Sequence, residues 1–167
     1  MPDMSDSRGT NVERTVRLAQ DLLFFAYRDF TNAADVLLEE IGLGRAHHRV
    51  LHFVGRNPGM TVSELLGILR ITKQSLARVL GELVERGHVA QAKGGADRRQ
   101  RLLTLTETGA ELERRLFARQ KACLAPAFGA AGPDAFAGFQ AVMRAIMEPA
   151  ARSLLDAAEQ DGNPHVR

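Results

Sequence analysis

Residues 61–109 read TVSELLGILRITKQSLARVLGELVERGHVAQAKGGADRRQRLLTLTETG, and the fold turns on this stretch. Thr61 and Glu64 stand three apart, the spacing at which a hydroxyl and a carboxylate each satisfy an orphan backbone N–H at a helix start. A short helix to about Leu69 follows. After Arg70 and Ile71, Thr72 is placed to cap a second helix running through Arg86, and Gly87 supplies the left-handed residue that closes it. Leu76, Val79, Leu80, Leu83 and Val84 form the expected buried stripe of that helix, which leaves Lys73, Gln74, Ala77, Arg78 and Gly81 on the opposite face. Next, His88–Ala92 and Arg101–Leu105 alternate well enough for two antiparallel strands, joined by a long, Gly-rich and basic tip from Lys93 to Gln100.

Two short helices meeting at a tight turn, the second with a slim polar face, followed by a basic hairpin, describe a winged helix-turn-helix. The major groove of B-DNA admits one α-helix, and short polar side chains near the N-terminus of that helix reach base edges and phosphates. Thr72, Lys73, Gln74, Ser75 and Arg78 are the candidate recognition-helix residues. Lys93, Asp97, Arg98, Arg99 and Arg101 are the candidate wing residues. Guanidinium groups at the hairpin tip suit the negative potential of a minor groove. Asp97 would be repelled by phosphate, so its expected role is to hold Arg99 in position.

Outside this stretch the periodicity is helical. Val12, Val16, Ala19, Leu23, Ala26, Phe30, Ala33 and Leu37 recur at spacings of three and four, predicting one long amphipathic helix after a polar tail of about ten residues. Leu22, Phe25, Val36 and Leu38 make its stripe wider than one small neighbour needs, which points to a second chain. Gly42 and Gly44 end it, and another helix runs from Arg45 to Arg56 with Val50, Leu51 and Val54 inward. Thr106 caps a helix carrying Leu112, Leu116 and Phe117 before Pro126. A turn at Gly132, Pro133 and Asp134 starts the last helix, with Phe136, Phe139, Val142, Met143, Ile146 and Met147 inward and an interruption at Pro149. The expected organisation is a disordered tail over 1–10, a helical dimerisation domain from 11–42 and 107–160, a DNA-binding domain over 43–106, and a frayed end over 161–167. The fold class is mainly α with a small β-hairpin wing.

Charge supports a polyanionic partner. The chain of 167 residues carries a net +2, but Arg45–Leu105 holds eleven Lys or Arg against four acids, so that segment is 11 − 4 = +7 and the flanks together are 2 − 7 = −5. With 45% apolar and 25% charged residues, the bulk of the chain is neither disordered nor fibrous. No run approaches the roughly 18 to 20 apolar residues of a membrane span, and the start has no apolar signal segment, so a cytoplasmic location is expected. The single cysteine, Cys123, excludes an internal disulfide. Enzyme chemistry has no visible home, because there is no Gly-rich phosphate loop, nucleophile motif or paired-carboxylate arrangement. Nothing calls for a cofactor.

The run from Thr72 to Gly109 resembles the multiple-antibiotic-resistance regulators of bacteria, the MarR family. It is similar in its recognition helix, the Asp-x-Arg tip at Asp97 and Arg99, and the closing Leu-Thr-x-x-Gly at Leu105, Thr106 and Gly109. The resemblance extends over roughly Val12 to Glu159. It implies a homodimer with interleaved first and last helices, and Arg99 as the minor-groove contact steadied by Asp97. It also implies a pseudo-palindromic operator and a small-molecule effector, often an aromatic anion, acting on what is more often a repressor. One departure is Gly94, Gly95 and Ala96, where many members carry a proline near the aspartate.

Other residues admit two readings. His47, His48 and His52 are a candidate effector site for a metal, haem or an anion, or are histidines that pack and hydrogen-bond beside the dimer arms. His88 reads as structural. Cys123 reads as a buried, inert thiol, far from the first helix where some relatives carry a reactive cysteine. Phe24, Phe25, Tyr27 and Phe30 read as core or dimer interface before they read as an aromatic-effector pocket. A winged-helix module that binds protein is the alternative to DNA binding.

Overall fold

A computed structural model describes residues 4–94 and 100–160. Seven helices and a small sheet follow in the order α1 (Met4–Glu40), α2 (Arg45–Arg56), β1 (Met60–Thr61), α3 (Val62–Leu69), α4 (Lys73–Glu85), β2 (Val89–Lys93), β3 (Arg101–Leu105), α5 (Glu107–Ala131), α6 (Ala135–Ile146) and α7 (Pro149–Gln160). The protein is thus mainly helical with an antiparallel wing, as the sequence predicts.

The start signals operate as their chemistry requires. Thr61 accepts from the Glu64 backbone N–H while the Glu64 carboxylate takes the Thr61 N–H at 2.7 Å. Those bonds hold the Glu64 carboxyl below its usual range, the backbone N–H of Thr61 contributing most. Thr72 accepts from Ser75 N–H, and Thr106 accepts from Gly109 N–H. Gly109 is required for a further reason: a Cβ there would collide with the backbone carbonyl of His88. Thr106 also donates its hydroxyl to the Gly87 carbonyl at 2.6 Å, tying the start of α5 to the turn after α4.

β2 and β3 pair from Val89↔Leu105 to Lys93↔Arg101, and β3 also pairs with β1 through Met60↔Leu103. The sheet order is β1-β3-β2, so the hairpin gains a third strand that the sequence did not announce. Two residues are too few to show alternation. One core is shared by α2, α3, α4, the sheet and the adjoining ends of α1 and α5, with Leu38, Leu51, Leu65, Leu76, Leu83, Leu103 and Leu116 fully buried.

Several expectations are corrected. α1 begins at Met4, inside the segment read as a tail. α5 continues through Pro126. Proline forfeits one backbone hydrogen bond, to the carbonyl four residues earlier at Ala122, and both residues lie on a run of exposed positions where water can reach that group. Val84 is 37% exposed, because Leu76, Val79, Leu80 and Leu83 already fill the inner stripe and Val84 falls beyond its edge. Phe136, Phe139, Val142 and Ile146, expected inward, are exposed, and among the described residues none of α6 is buried. Phe117 is exposed as well. Cys123 is exposed, not buried, since α5 runs clear of the core beyond Leu116. Pro149 interrupts the last helical segment as anticipated and opens α7 at a position where its missing N–H costs nothing. Among the described residues, no helix is long and apolar enough to cross a membrane.

Candidate functional site

α4 presents the predicted polar face. Lys73, Gln74, Ser75, Ala77, Arg78 and Gly81 are exposed, while Leu76, Val79, Leu80 and Leu83 anchor the opposite side in the core. Thr72 is committed to the helix start: its hydroxyl accepts from the Ser75 N–H and donates to Ser75 Oγ at 2.9 Å. Lys73, Gln74 and Arg78 therefore form the open part of the surface. Beside it, Gly94 N–H bonds the Gln100 carbonyl and closes the hairpin, with Lys93 and Arg101 exposed on paired strand ends. Asp97, Arg98 and Arg99 lie outside the described residues.

The three histidines do not form one cluster. His48 and His52, one turn apart on α2, line an open cleft of about 240 Å³ with Tyr27, Phe30, Thr31 and Asp35 of α1, Arg45 and Arg49 of α2, and Gln120 of α5. The cleft sits where the long helices meet the winged module. Burial pushes His48 down, opposed by Asp35. Burial pushes His52 down to about 4, reinforced by Arg56 and by His48. Both imidazoles are therefore neutral near pH 7. Asp35 is held by Arg45 at 2.6 Å, so the formal lining charge is two arginines against one carboxylate. An aromatic wall, neutral imidazoles and one excess positive charge suit a small planar anion. Of the aromatic residues singled out in α1, Tyr27 and Phe30 reach this cleft, whereas Phe24 and Phe25 stack edge to face on the exposed helix surface.

His47 faces the other way. It is 7% exposed, and its ring bridges the start of α2 to α4. The Gly44 N–H donates to Nδ1 at 3.1 Å, which fixes the proton on Nε2, and Nε2–H donates to the Glu82 carboxylate at 2.8 Å. Glu82 also accepts from Arg78 at 3.0 Å and is held below its usual range, chiefly by the His47 bond. Sequence reasoning passed over Glu82, although its place one turn after Arg78 was a readable signal. Among the described residues no group of three or more His, Cys, Asp or Glu is placed to hold a metal ion. His88 is half-buried; its carbonyl accepts from the Thr106 N–H, while Nδ1 has no hydrogen-bond partner among the described residues.

The long helices carry the second conspicuous surface. Val12, Val16, Leu22, Phe24 and Phe25 on α1, Leu124 on α5, Phe136, Phe139, Val142 and Ile146 on α6, and Leu154 on α7 are all exposed. Phe128 packs edge to face on Phe136 and Phe139, so part of this surface is a preformed aromatic cluster.

Comparison with known proteins agrees with this architecture. Residues 41–100, which cover the winged module up to the start of β3, match the model of the MarR family. The HTH-type transcriptional regulator PetP of Rhodobacter capsulatus is 47% identical over 140 residues, covering 84% of each chain. A SlyA-like transcription regulator from Listeria monocytogenes has a similar fold, with a TM-score of 0.66 at 18% identity over 84% of this chain and 93% of that one. Streptococcus pneumoniae FabT, solved in complex with DNA, superposes with a TM-score of 0.68 at 18% identity, covering 77% and 92%. With a winged module, a Thr72-capped α4 and a relative of this identity along most of its length, the chain belongs to the MarR family of transcriptional regulators.

Proposed function

We propose that the chain is a cytoplasmic, homodimeric regulator that binds double-stranded DNA at a pseudo-palindromic operator and represses transcription until a small molecule releases it. The observation that carries this reading is the exposed Lys73, Gln74 and Arg78 face of α4, rigidly backed by the core and flanked by the basic hairpin. The DNA complex of the similarly folded FabT supports it. Groove spacing requires two such helices about 34 to 36 Å apart, and the apolar arms offer the surface on which a second copy would set that distance. The α1–α2–α5 cleft lies at the hinge between arms and module, so an aromatic anion bound there would favour one arrangement over another.

Selection of duplexes from random DNA tests the reading, and a two-fold-related motif is the expected result. Affinity for the selected duplex should fall steeply with salt as neutralised phosphates release counterions. Arg99→Ala should weaken binding about tenfold in a gel-shift assay while the dimer persists. Enrichment of no sequence in dilute buffer would overturn DNA binding, and unchanged affinity of Arg99→Ala would overturn the wing contact.

A further inference from the structure

We infer that His47 and Glu82 are positioning residues for operator recognition: the chain Gly44–His47–Glu82–Arg78 fixes the guanidinium that α4 presents to DNA. This inference rests on the DNA-binding reading above and assigns the regulator a specificity element away from the groove.

An exposed arginine at the middle of a recognition helix has many rotamers, and ordering them on binding costs affinity. Arg78 is two-thirds exposed, yet its Nη1 is engaged by Glu82 Oε1 one helical turn away. Such a pair alone is weak, because both side chains are free to move. Here the acid is not free. Its other oxygen, Oε2, accepts from His47 Nε2, and His47 is buried with its ring orientation set by the Gly44 N–H. Each link removes a freedom of the next, from the backbone at the start of α2 to the tip of Arg78. The order of polarity is consistent along the chain, since every hydrogen bond has one donor and one acceptor when the imidazole is neutral with its proton on Nε2. The arrangement also keeps the Glu82 charge satisfied from both sides, so it need not repel phosphate as a bare carboxylate would. Arg78 can then offer its remaining N–H groups to a base edge in a fixed direction.

The test separates capping of α2 from control of Arg78. His47→Asn places an amide oxygen where Nδ1 accepts from Gly44, but is too short to reach Glu82. Binding is measured to a duplex enriched from random DNA by the wild-type protein and to a scrambled duplex of equal composition. The expected result is a preference for the enriched duplex about fivefold lower in His47→Asn and in Glu82→Ala, the lower end for one base contact. In an Arg78→Ala background the same changes should leave the preference unaltered, because the group they position is gone. A His47→Asn protein that keeps the wild-type preference overturns the inference while leaving DNA binding standing. So does an equal loss with and without Arg78, which would mark His47 as packing only. A wild-type protein that enriches no duplex overturns the DNA-binding reading, and this inference with it. Thermal melting of each variant, alongside the Arg78→Ala cycle, assigns any general loss of folded protein.

Discussion

The winged module and the helical arms are both rich in apolar residues but place them differently. In the module, Leu51, Leu65, Leu76, Leu83 and Leu103 are fully buried by elements of the same chain. In the arms, residues of the same kind, such as Val142 and Ile146 at 60% and 63% exposure, are left largely uncovered by the described residues. Contiguous exposed apolar residues mark surfaces at which a protein meets a partner. The module buries its apolar residues within one chain, whereas the arms leave many of theirs exposed, which is the physical basis for proposing a homodimer. On the proposed dimer, a change in how two copies seat on each other would move two winged modules without remaking either.

The comparison breaks most directly at its two ends. Leu51→Ala should cost about 4 kcal/mol in urea unfolding, from lost burial plus the cavity left in a packed core. That loss should appear equally in all parts of the winged module. Val142→Asp with Ile146→Asp should leave the module's unfolding nearly unchanged, because both side chains are already in water in the single chain. The double variant should instead raise the dissociation constant of the proposed dimer at least about 100-fold, since two carboxylates from each copy would have to be desolvated between them. Sedimentation against concentration reads that value. Unchanged self-association would show that this face of α6 is not the contact.

A smaller effect sharpens the boundary between the two regions, where the His48 and His52 cleft lies. His52 ionises at about 4 in the folded chain and near its ordinary 6.5 when unfolded. A lowered histidine pKa means that the unfolded state binds more protons in between, so stability is full above about 6.5 and is lost as pH falls toward 4. The loss is on the order of 3 kcal/mol at most, at 1.36 kcal/mol per unit. His48 acts in the same direction. Imidazole NMR titration checks the sign: a His52 that titrates at 6.5 would show that the cleft is wetter than its burial implies.

Much of this is legible in the sequence itself. Thr61 with Glu64, Thr72 and Thr106 each announce a helix start, because capping is a local exchange between a side chain and backbone groups two or three residues away. The inner stripe of α4 followed from helical periodicity. What periodicity cannot say is what a stripe packs against, and so the apolar face of α6 was expected inside, where the described residues leave most of it exposed. β1 was invisible because it exists only through its pairing with Leu102 and Leu103. Among the histidines, the shared face of His48 and His52 was readable from their spacing. The turn of His47 toward α4 was not, because Glu82 lies 35 residues away in sequence.

One ion pair joins the module's helix-turn-helix to the α6–α7 junction, and it is expected to matter least for stability. Arg70 caps α3 in a left-handed conformation, φ 50°, and reaches Glu148 at 2.6 Å. Both side chains are well exposed, and the partners shift each other's pKa in the stabilising directions, Arg70 up and Glu148 down, mainly through their hydrogen bond. Solvent and salt screen such a pair, so Glu148→Gln should produce no resolvable change in Tm. The backbone at Arg70 is a separate matter. Arg70→Gly relieves the left-handed strain of a residue with a Cβ while also removing the ion pair, so its Tm should stay level or rise. If instead both variants lowered Tm by the same clear margin, the ion pair would be holding module and arms together, and the two regions would be less independent than their cores imply.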